Sequence, residues 1–173
     1  MDANDIRYAV LREVPFGGDG DISETKILDR YNYELANGVG NLVQRTISMI
    51  ARYDLRPVRR ENNVCEIGEC YEDKKMRELI AANMEGLHFE AILSDIWQNV
   101  IRPTNQYLED KKPWELAKFD TEELAKVMEN VYNQIFLVAD YLEPFMPSTV
   151  EKIRHQLDTL KPEALFPRIE LEK

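Results

Sequence analysis

The chain has 173 residues and a formal net charge of -10, and 44% of its residues are hydrophobic. That content is enough to build a core and too high for obligatory disorder, so we expect one folded domain, or one with a short appendage. No run approaches the roughly 18 consecutive apolar residues that cross a bilayer, so we predict no membrane contact. The acidic balance argues against a nucleic-acid partner unless basic residues gather on one surface.

The sequence contains few residues that could bind a metal through sulfur or imidazole or form a disulfide. The two cysteines, Cys65 and Cys70, are too few for a disulfide framework or a four-cysteine metal site. The two histidines, His88 and His155, lack nearby partners in sequence. We therefore predict no metal site. We also predict a cytoplasmic location, because the first five residues have neither the basic nor the apolar part of a signal peptide.

The first 22 residues cannot form a domain by themselves. They begin with a short apolar segment and then break at a set of turn-forming residues, which predicts an irregular loop. These residues are Pro15, Gly17, Gly18 and Gly20.

A long helix is predicted to begin near Ser23, which offers an N-cap, and to end before Pro57. Its apolar residues recur every three or four positions, as expected for one buried stripe. They include Tyr31, Leu35, Val39, Leu42, Met49, Ile50 and Tyr53. Gly38 and Gly40 interrupt the pattern at a cost of about 1 kcal/mol each relative to alanine, so we expect other atoms to approach closely there.

Four further helical patterns follow, and no strand pattern has comparable strength. They begin near Glu72, Phe89, Asp120 and Pro147. Residues 57–71 have no sustained period and are predicted as a loop. Because amphipathic helices bury their stripes against one another, we predict an all-α fold, an antiparallel bundle of about five helices.

Two segments depart from a simple helical pattern. Pro103 would remove a hydrogen bond and kink the helix that starts near Phe89 if that helix continued to Tyr107. Residues 161–173 are predicted to form an apolar strap laid on the bundle. Its apolar residues are Leu165, Phe166 and Ile169.

One face of the long first helix carries polar residues at helical spacing, opposite the apolar stripe. They are Asn37, Asn41, Arg45, Ser48 and Arg52. Between residues 40 and 60 five arginines stand against one acid, Asp54, which leaves a local charge of +4. Guanidinium groups bind bidentately and stack on flat rings, so this face suits base edges and phosphates. The alternative is a solvated face that pairs with glutamates of neighbouring helices.

Pro113 and Trp114 lie on a connection between two predicted helices. A tryptophan held there can present its ring to an unstacked base, and such stacking contributes about 1–3 kcal/mol per base. The alternative is a ring that fills the core or covers the end of the bundle. Trp97 lies within an apolar run and is predicted to be core. The sequence contains no phosphate-binding glycine motif and no nucleophile motif, so we predict no catalytic residue in it.

Five stretches of sequence cover nearly the whole chain in a recognisable order. They are LREVPFGGDGDIS (residues 11–23), DRYNYELANGVGNLVQRTISMI (29–50), NQYLEDKKPWELAK (105–118), YLEPFMPSTVEKI (141–153) and LFPRIE (165–170). Together they resemble the C-terminal half of the methionyl-tRNA synthetase family. The most specific elements are Asn-Leu-x-x-Arg, Pro-Trp and Pro-Phe-Met-Pro.

The resemblance implies an α-helical anticodon-binding domain at residues 23–173, preceded at residues 1–22 by the end of a stem-contact region or a linker. In this family a Rossmann-type catalytic half activates methionine with ATP through His-Ile-Gly-His-like and Lys-Met-Ser-Lys-Ser signatures. Neither signature occurs in the chain. The chain is therefore expected to be a fragment of a methionine-tRNA ligase without a cofactor of its own. ATP, methionine and any zinc would belong to the absent catalytic half.

The resemblance also implies the residues and partners of a binding site. Anticodon recognition falls on Asn41 and Arg45, one helical turn apart, and on Trp114, on which a base stacks. From charge and position alone, we assign contacts with the flanking phosphates to Arg52, Arg56, Arg59 and Arg60. The expected partners are methionine tRNA and the catalytic half of the same enzyme. Two alternatives stay open, the corresponding domain of a related class I synthetase and a helical protein-interaction scaffold.

Overall fold

The computed structural model describes residues 1–60, 67 and 73–170, and every regular element within them is helical. The elements are α1 (Ala3–Glu13), α2 (Glu24–Arg30), π1 (Tyr31–Gly40), α3 (Asn41–Arg52), α4 (Asp73–Glu85), α5 (Phe89–Ile96), π2 (Trp97–Ile101), α6 (Arg102–Lys111), α7 (Pro113–Leu116), α8 (Thr121–Leu142) and α9 (Pro147–Thr159). Segments α2, π1 and α3 form one continuous helix, the first rod, and α5, π2 and α6 form the second rod. The predicted all-α class is confirmed.

Three of the predicted helix starts are confirmed, two by a side-chain cap and one by a first-turn proline. The Ser23 hydroxyl accepts the backbone N–H of Lys26 at 3.2 Å, which begins the first rod. The Asp120 carboxylate accepts the backbone N–H of Glu123 at 2.9 Å, which begins α8. Pro147 occupies the first turn of α9, where the missing N–H of proline is not needed.

Helix α1 was not predicted from the sequence. Its capping box uses an aspartate at both positions, Asp2 and Asp5, in place of the usual hydroxyl and glutamate. Its buried face consists of Asp5, Tyr8 and Ala9, so it presents no apolar stripe to a periodicity search. The helix packs against α5 and α2, and this tertiary packing explains why a segment with so weak an amphipathic pattern is helical. The domain boundary at residues 22 and 23 stays a prediction.

Helix α8 forms the centre of the core. Fourteen of its 22 residues are buried, far more than the single stripe of a surface helix, because α3, α6 and α9 pack around it. The apolar residues of α8 that recur every three or four positions are all among the buried residues. They are Leu124, Met128, Val131, Ile135, Val138 and Leu142.

The two rods approach closely at Gly38. A Cβ atom added there would lie 2.4 Å from Cζ3 of Trp97, a distance that no real contact allows. A Cβ atom on Gly40 would lie 3.0 Å from Cδ2 of Phe166. The predicted close approach at both glycines is therefore confirmed. Trp97 is 7% exposed, which confirms its place in the core.

The second rod continues past Pro103 because its helix widens just before the proline. The backbone N–H of Arg102 bonds to the carbonyl of Trp97, five residues back, as in a π-helix. The side chains of the next two residues donate to carbonyls of the same turn, Thr104 to Val100 at 2.6 Å and Asn105 to Ile101 at 3.0 Å. The wide turn lies where the α-helical ladder would need a backbone N–H from Pro103, so the rod continues through the proline.

The predicted C-terminal strap is confirmed over residues 161–170 and lies along π1, and residues 171–173 of the predicted segment lie outside the described residues. Phe166 is 7% exposed and packs edge-on against Tyr31 with ring centroids 6.1 Å apart. The Asn32 amide donates to the carbonyl of Ile169 at 2.8 Å and accepts its N–H at 3.1 Å. This paired hydrogen bond fixes the register of the strap on the first rod.

Candidate nucleic-acid interface

Two of the three expected anticodon-reading residues lie at the start of α3, directly after π1. Asn41 is the first residue of α3 and Arg45 lies one turn later, and both side chains are half-buried. Their spacing of four residues puts them on one face of the helix. Asn37 lies four residues earlier, at an exposed position of π1.

The fold brings Arg45 to Trp114, although 68 residues separate them in the chain. The guanidinium carbon Cζ of Arg45 lies 5.3 Å from the centroid of the Trp114 ring, a cation–π contact. The Nη1 atom of Arg45 also lies 2.5 Å from the Oε1 atom of Glu109. The cluster thus joins α3, α6 and α7. We refer to Arg45, Trp114 and Glu109 as the exposed cluster.

Trp114 is held by a sharp chain reversal between α6 and α7. Lys112 adopts a left-handed conformation with φ of 45°, which ends α6, and the buried Pro113 begins α7. A single turn closes with the N–H of Ala117 bonded to the Pro113 carbonyl at 3.0 Å. The Trp114 side chain remains 36% exposed, so it both contacts the bundle and presents surface to solvent. This exposure is higher than that of a core tryptophan and lower than that of a tryptophan without contacts.

The ion pair within the exposed cluster is weak. The side chains of Arg45 and Glu109 are 32% and 53% exposed, and solvated pairs of this kind contribute about 0–1 kcal/mol. A ligand that offers Arg45 a planar acceptor can therefore replace the carboxylate at small cost. The cluster is open to exchange.

Each of the four accessory arginines already has a partner in the structure. Arg52 lies 5.5 Å from the ring centroid of Tyr53, Arg56 is 2.5 Å from Asp54, Arg59 is 4.2 Å from the ring centroid of Phe136, and Arg60 is 3.1 Å from Glu129. Arg52 extends the row of Asn41 and Arg45 along α3. Arg59 and Arg60 instead lie against α8. There the Asn133 side chain accepts the backbone N–H of Arg60 and donates to the carbonyl of Val58.

A groove of about 240 Å³ separates π1 from the second rod, and we refer to it as the inter-rod groove. It is lined by Tyr33, Asn37, Gly38, Trp97, Arg102, Asn105, Gln106 and Glu109. Tyr33 is 62% exposed and its ring lies 5.6 Å from that of Trp97. Sequence reasoning assigned no role to Tyr33, because only the packing of the two rods shows that it faces a groove.

The strap adds one more cation to this surface. Arg168 is exposed, and its Nε donates to the Oδ1 atom of Asn37 at 3.1 Å. The sequence predicted only the apolar side of the strap. The position of Arg168 follows from the register that Asn32 imposes on Ile169.

A second ionic cluster on the first rod is buried. Glu34 is 1% exposed and accepts hydrogen bonds from Tyr8 at 2.6 Å and Arg30 at 2.6 Å, and it lies 3.4 Å from Arg12. Burial, together with the nearby Glu34 carboxylate, raises the pKa of Tyr8 well above 10, so its hydroxyl remains a donor. Arg30 also bonds to Glu13 at 2.7 Å. We refer to these five residues as the buried cluster, and they fasten α1 to the first rod.

Among the described residues no helix is both long and apolar enough to cross a membrane. In the same part of the chain no three His, Cys, Asp or Glu side chains converge as metal ligands would. Cys65 and Cys70 lie outside the described residues, and the absence of a metal site stays a prediction.

Comparison with protein families gives two matches. A model described as the anticodon binding domain of methionyl tRNA ligase matches residues 73–170, and a model of class I tRNA synthetases (M) matches residues 1–47. The methionine–tRNA ligase of Listeria innocua is 37% identical over 88% of this chain and 24% of its own length. That of Bacillus subtilis is 35% identical over 98% of this chain and 30% of its own length. The chain thus spans 24% and 30% of the lengths of these two relatives.

Solved structures agree with the sequence relatives. The free form of Mycobacterium tuberculosis methionyl-tRNA synthetase superposes with a TM-score of 0.74 at 27% identity, over 98% of this chain and 39% of that one. Its complex with methionyl-adenylate superposes with a TM-score of 0.75 at 28% identity, over 95% of this chain and 37% of that one. The helical architecture is therefore the one found in part of those enzymes.

Proposed function

The chain belongs to the methionyl-tRNA synthetase family, and we propose that it is the anticodon-binding part of such an enzyme. In this role it selects methionine tRNA, and a catalytic half outside these 173 residues joins methionine to that tRNA with ATP. Both family models and both relatives concern methionyl enzymes, which favours this reading over a related class I synthetase. Its partners would be methionine tRNA and the catalytic half, in the cytoplasm, where translation enzymes act.

The observation that carries the proposal is the contact between Arg45 and Trp114. It places a planar cation, 32% exposed, beside an aromatic ring that is 36% exposed. Single-stranded RNA loops are recognised through this combination, a ring that stacks on an unpaired base and donors that reach its edge. A structural tryptophan would be covered, and a merely solvated arginine would not lie against it.

The three residues divide the work of recognition by their chemistry. Trp114 offers a π-face, which is sequence-tolerant and supplies stacking energy. The Asn41 amide offers both donors and an acceptor, whereas Arg45 offers donors only, so together they distinguish base edges. Because Asn41 and Arg45 are held on a helix, their positions are fixed before the RNA arrives.

Replacement of Glu109 by RNA as the partner of Arg45 explains how a chain with a negative net charge can bind an anion. The net charge of -10 opposes association at long range, and only a local concentration of arginines offsets it. Glu109 forms an ion pair with Arg45 in the free chain. A base or phosphate must therefore bind Arg45 more tightly than this carboxylate does. Binding should therefore weaken as salt rises.

The phosphate contacts of the accessory arginines form the outer part of the proposal. Arg52 extends the row of Asn41 and Arg45, and the Arg56 side chain is 74% exposed beside an exposed aspartate. Both are free enough to follow an RNA backbone. Arg59 and Arg60 are held against α8, so we assign them weaker contacts.

A salt titration of binding with two RNAs tests the proposal. The RNAs are the anticodon stem–loop of methionine tRNA and the same stem–loop with its anticodon changed. We expect tighter binding to the native anticodon at every salt concentration, and affinity that falls as salt rises. Equal binding to both RNAs would reduce the site to a basic patch without sequence recognition. No binding at low salt would favour the helical interaction scaffold instead.

A further inference from the structure

We propose that the inter-rod groove holds a second unpaired base of the RNA strand, stacked on Tyr33. The inference rests on the proposed function and adds a subsite beyond Asn41, Arg45 and Trp114. Its occupant is a nucleotide that flanks those read by the three residues.

Tyr33 is a preformed stacking surface. Its ring is 62% exposed, yet it is supported from one side by Trp97, whose ring centroid lies 5.6 Å away and which is itself 7% exposed. Gly38 allows this support, because any side chain there would collide with the Trp97 ring. A ring held in place by a buried neighbour loses little conformational entropy when a base stacks on its free face.

The polar residues of the groove suit the edge of a base. Asn37 lies on one wall, and Asn105 and Gln106 lie on the other. Within the described part of the chain each amide makes one hydrogen bond, Asn37 with Arg168, Asn105 with Ile101 and Gln106 with Asp110. Each also keeps at least one further N–H and a further acceptor lone pair, which suit the Watson–Crick edge of a base. The volume of about 240 Å³ is below that of pockets for drug-sized ligands, which begin at roughly 300 Å³, and suits one planar ring system.

The groove is continuous with the exposed cluster. Glu109 lines the groove and also bonds to Arg45, so the two sites share a residue. Tyr33, Asn37, Asn41 and Arg45 follow one another at intervals of four residues along the first rod. Because part of the row lies in the wider and shorter winding of π1, the α-helical rise of about 1.5 Å per residue gives an upper bound of about 18 Å for its length, a span that holds several bases stacked at about 3.4 Å. One strand can therefore reach from Trp114 to Tyr33.

Charge at the rim of the groove also favours a nucleotide. Arg102 is exposed on the second rod, and Arg168 reaches Asn37 from the strap. These two cations approach the groove from opposite walls. A phosphate that follows the stacked base would lie between them and gain charge-assisted hydrogen bonds.

Position-resolved fluorescence tests the subsite. The probe is an anticodon stem–loop of methionine tRNA in which 2-aminopurine replaces, one at a time, the unpaired loop bases that flank the anticodon. In the wild-type chain and in Tyr33→Phe we expect binding to quench one flanking position. Tyr33→Ala should abolish that quenching and lower the affinity about 5-fold to 100-fold, as loss of one stacked base does. Phe16→Ala removes another exposed aromatic that does not line the groove, and should change neither.

A second variant guards against loss of packing at Trp97. Tyr33→Leu keeps apolar bulk over Trp97 but cannot stack, so it should bind as Tyr33→Ala does and melt as the wild type does. Unchanged affinity and quenching in both variants would overturn the subsite. If that occurs while the wild type still prefers the native anticodon, the subsite alone is wrong. If the wild type shows no such preference, the proposed function fails first and the subsite fails with it.

Discussion

The first rod carries two arginine–glutamate clusters that use the same chemistry in opposite environments. In the buried cluster Glu34 is 1% exposed and its carboxylate contacts Tyr8, Arg12 and Arg30. In the exposed cluster Glu109 is 53% exposed and contacts Arg45 alone among the pairs described. The first cluster holds α1 in place, and the second leaves its cation open to a ligand.

The difference teaches that burial and the number of partners decide what an ion pair does. Removal of a buried carboxylate with several donors is costly, because the donors left behind, here two largely covered guanidinium groups and a buried hydroxyl, lose a partner that water does not fully replace. A solvated pair exchanges partners for less than about 1 kcal/mol. Function is therefore expected at the exposed cluster and stability at the buried one.

Removal of the buried carboxylate should have the largest effect. We expect Glu34→Ala to lower the free energy of unfolding by about 3–5 kcal/mol, because Arg12 and Arg30 would lose their buried partner. Urea denaturation followed by circular dichroism measures this. Glu109→Ala is the matched control and should cost less than about 1 kcal/mol. Equal losses of unfolding free energy in the two variants would show that the two clusters do not differ in their contribution to stability.

Removal of the exposed cation should instead affect binding. We expect Arg45→Ala to weaken binding of the native anticodon stem–loop by about 1.5–3 kcal/mol, the range for hydrogen bonds to charged groups, while the denaturation midpoint stays near that of the wild type. Titration calorimetry and melting curves on the same samples check this. A variant that binds normally but unfolds early would assign Arg45 to structure.

Much of this arrangement was accessible from the sequence, and the reasons are local. Ser23, Asp120 and Pro147 indicate helix starts in the sequence, because a cap or a first-turn proline depends on only a few neighbouring residues. The need for space at Gly38 was readable for the same reason. The π-helical winding of Tyr31–Gly40 was not, because it depends on how the first rod packs against the second and against α1.

The candidate site divides along the same line. Asn41 and Arg45 were singled out because one helix spaces them, and Trp114 because it follows a proline between helices. Their role in recognition is implied by the family resemblance and stays a prediction. Tyr33 and Arg168 were missed because the groove and the strap bring them to the site from distant parts of the fold. Spacing along a chain does not report such encounters.

Neutralising the exposed carboxylate should give a smaller effect of opposite sign. Glu109→Gln removes the charge that competes for Arg45, so we expect RNA affinity to rise by up to about 5-fold, which corresponds to less than about 1 kcal/mol. The rise should be greatest at low salt, where solvated charges interact most strongly. Affinity that falls in this variant would mean that Glu109 itself binds RNA.

The smallest effect concerns the capping box of α1. Burial raises the pKa of Asp5 above its usual 3.8, so its charged form is disfavoured in the folded chain. Stability from this group is therefore complete below pH 3.8 and falls as pH rises through the raised pKa. Asp5→Asn should match the wild type at low pH and exceed it slightly at pH 7, as melting curves would record.

Asp2, the other residue of the box, provides the control for this pH dependence. Burial opposes ionisation of Asp2, but the backbone N–H groups of Asp5 and Asn4 outweigh it, and the pKa is lowered. Its contribution is lost as pH falls, so Asp2→Asn should lose stability at pH 7 and match the wild type in acid. The same pH profile in both variants would contradict the assignment.

The central claim, that the exposed cluster reads the anticodon, is tested most directly by four affinities. They are those of the wild type and Arg45→Ala for the native and the changed anticodon stem–loops. We expect the substitution to weaken native binding by about 1.5–3 kcal/mol and to leave binding of the changed RNA nearly unaltered, so that the preference collapses, because Arg45 donates to base edges whereas Trp114 stacks on any base. An equal loss for both RNAs, with the preference intact, would contradict the claim.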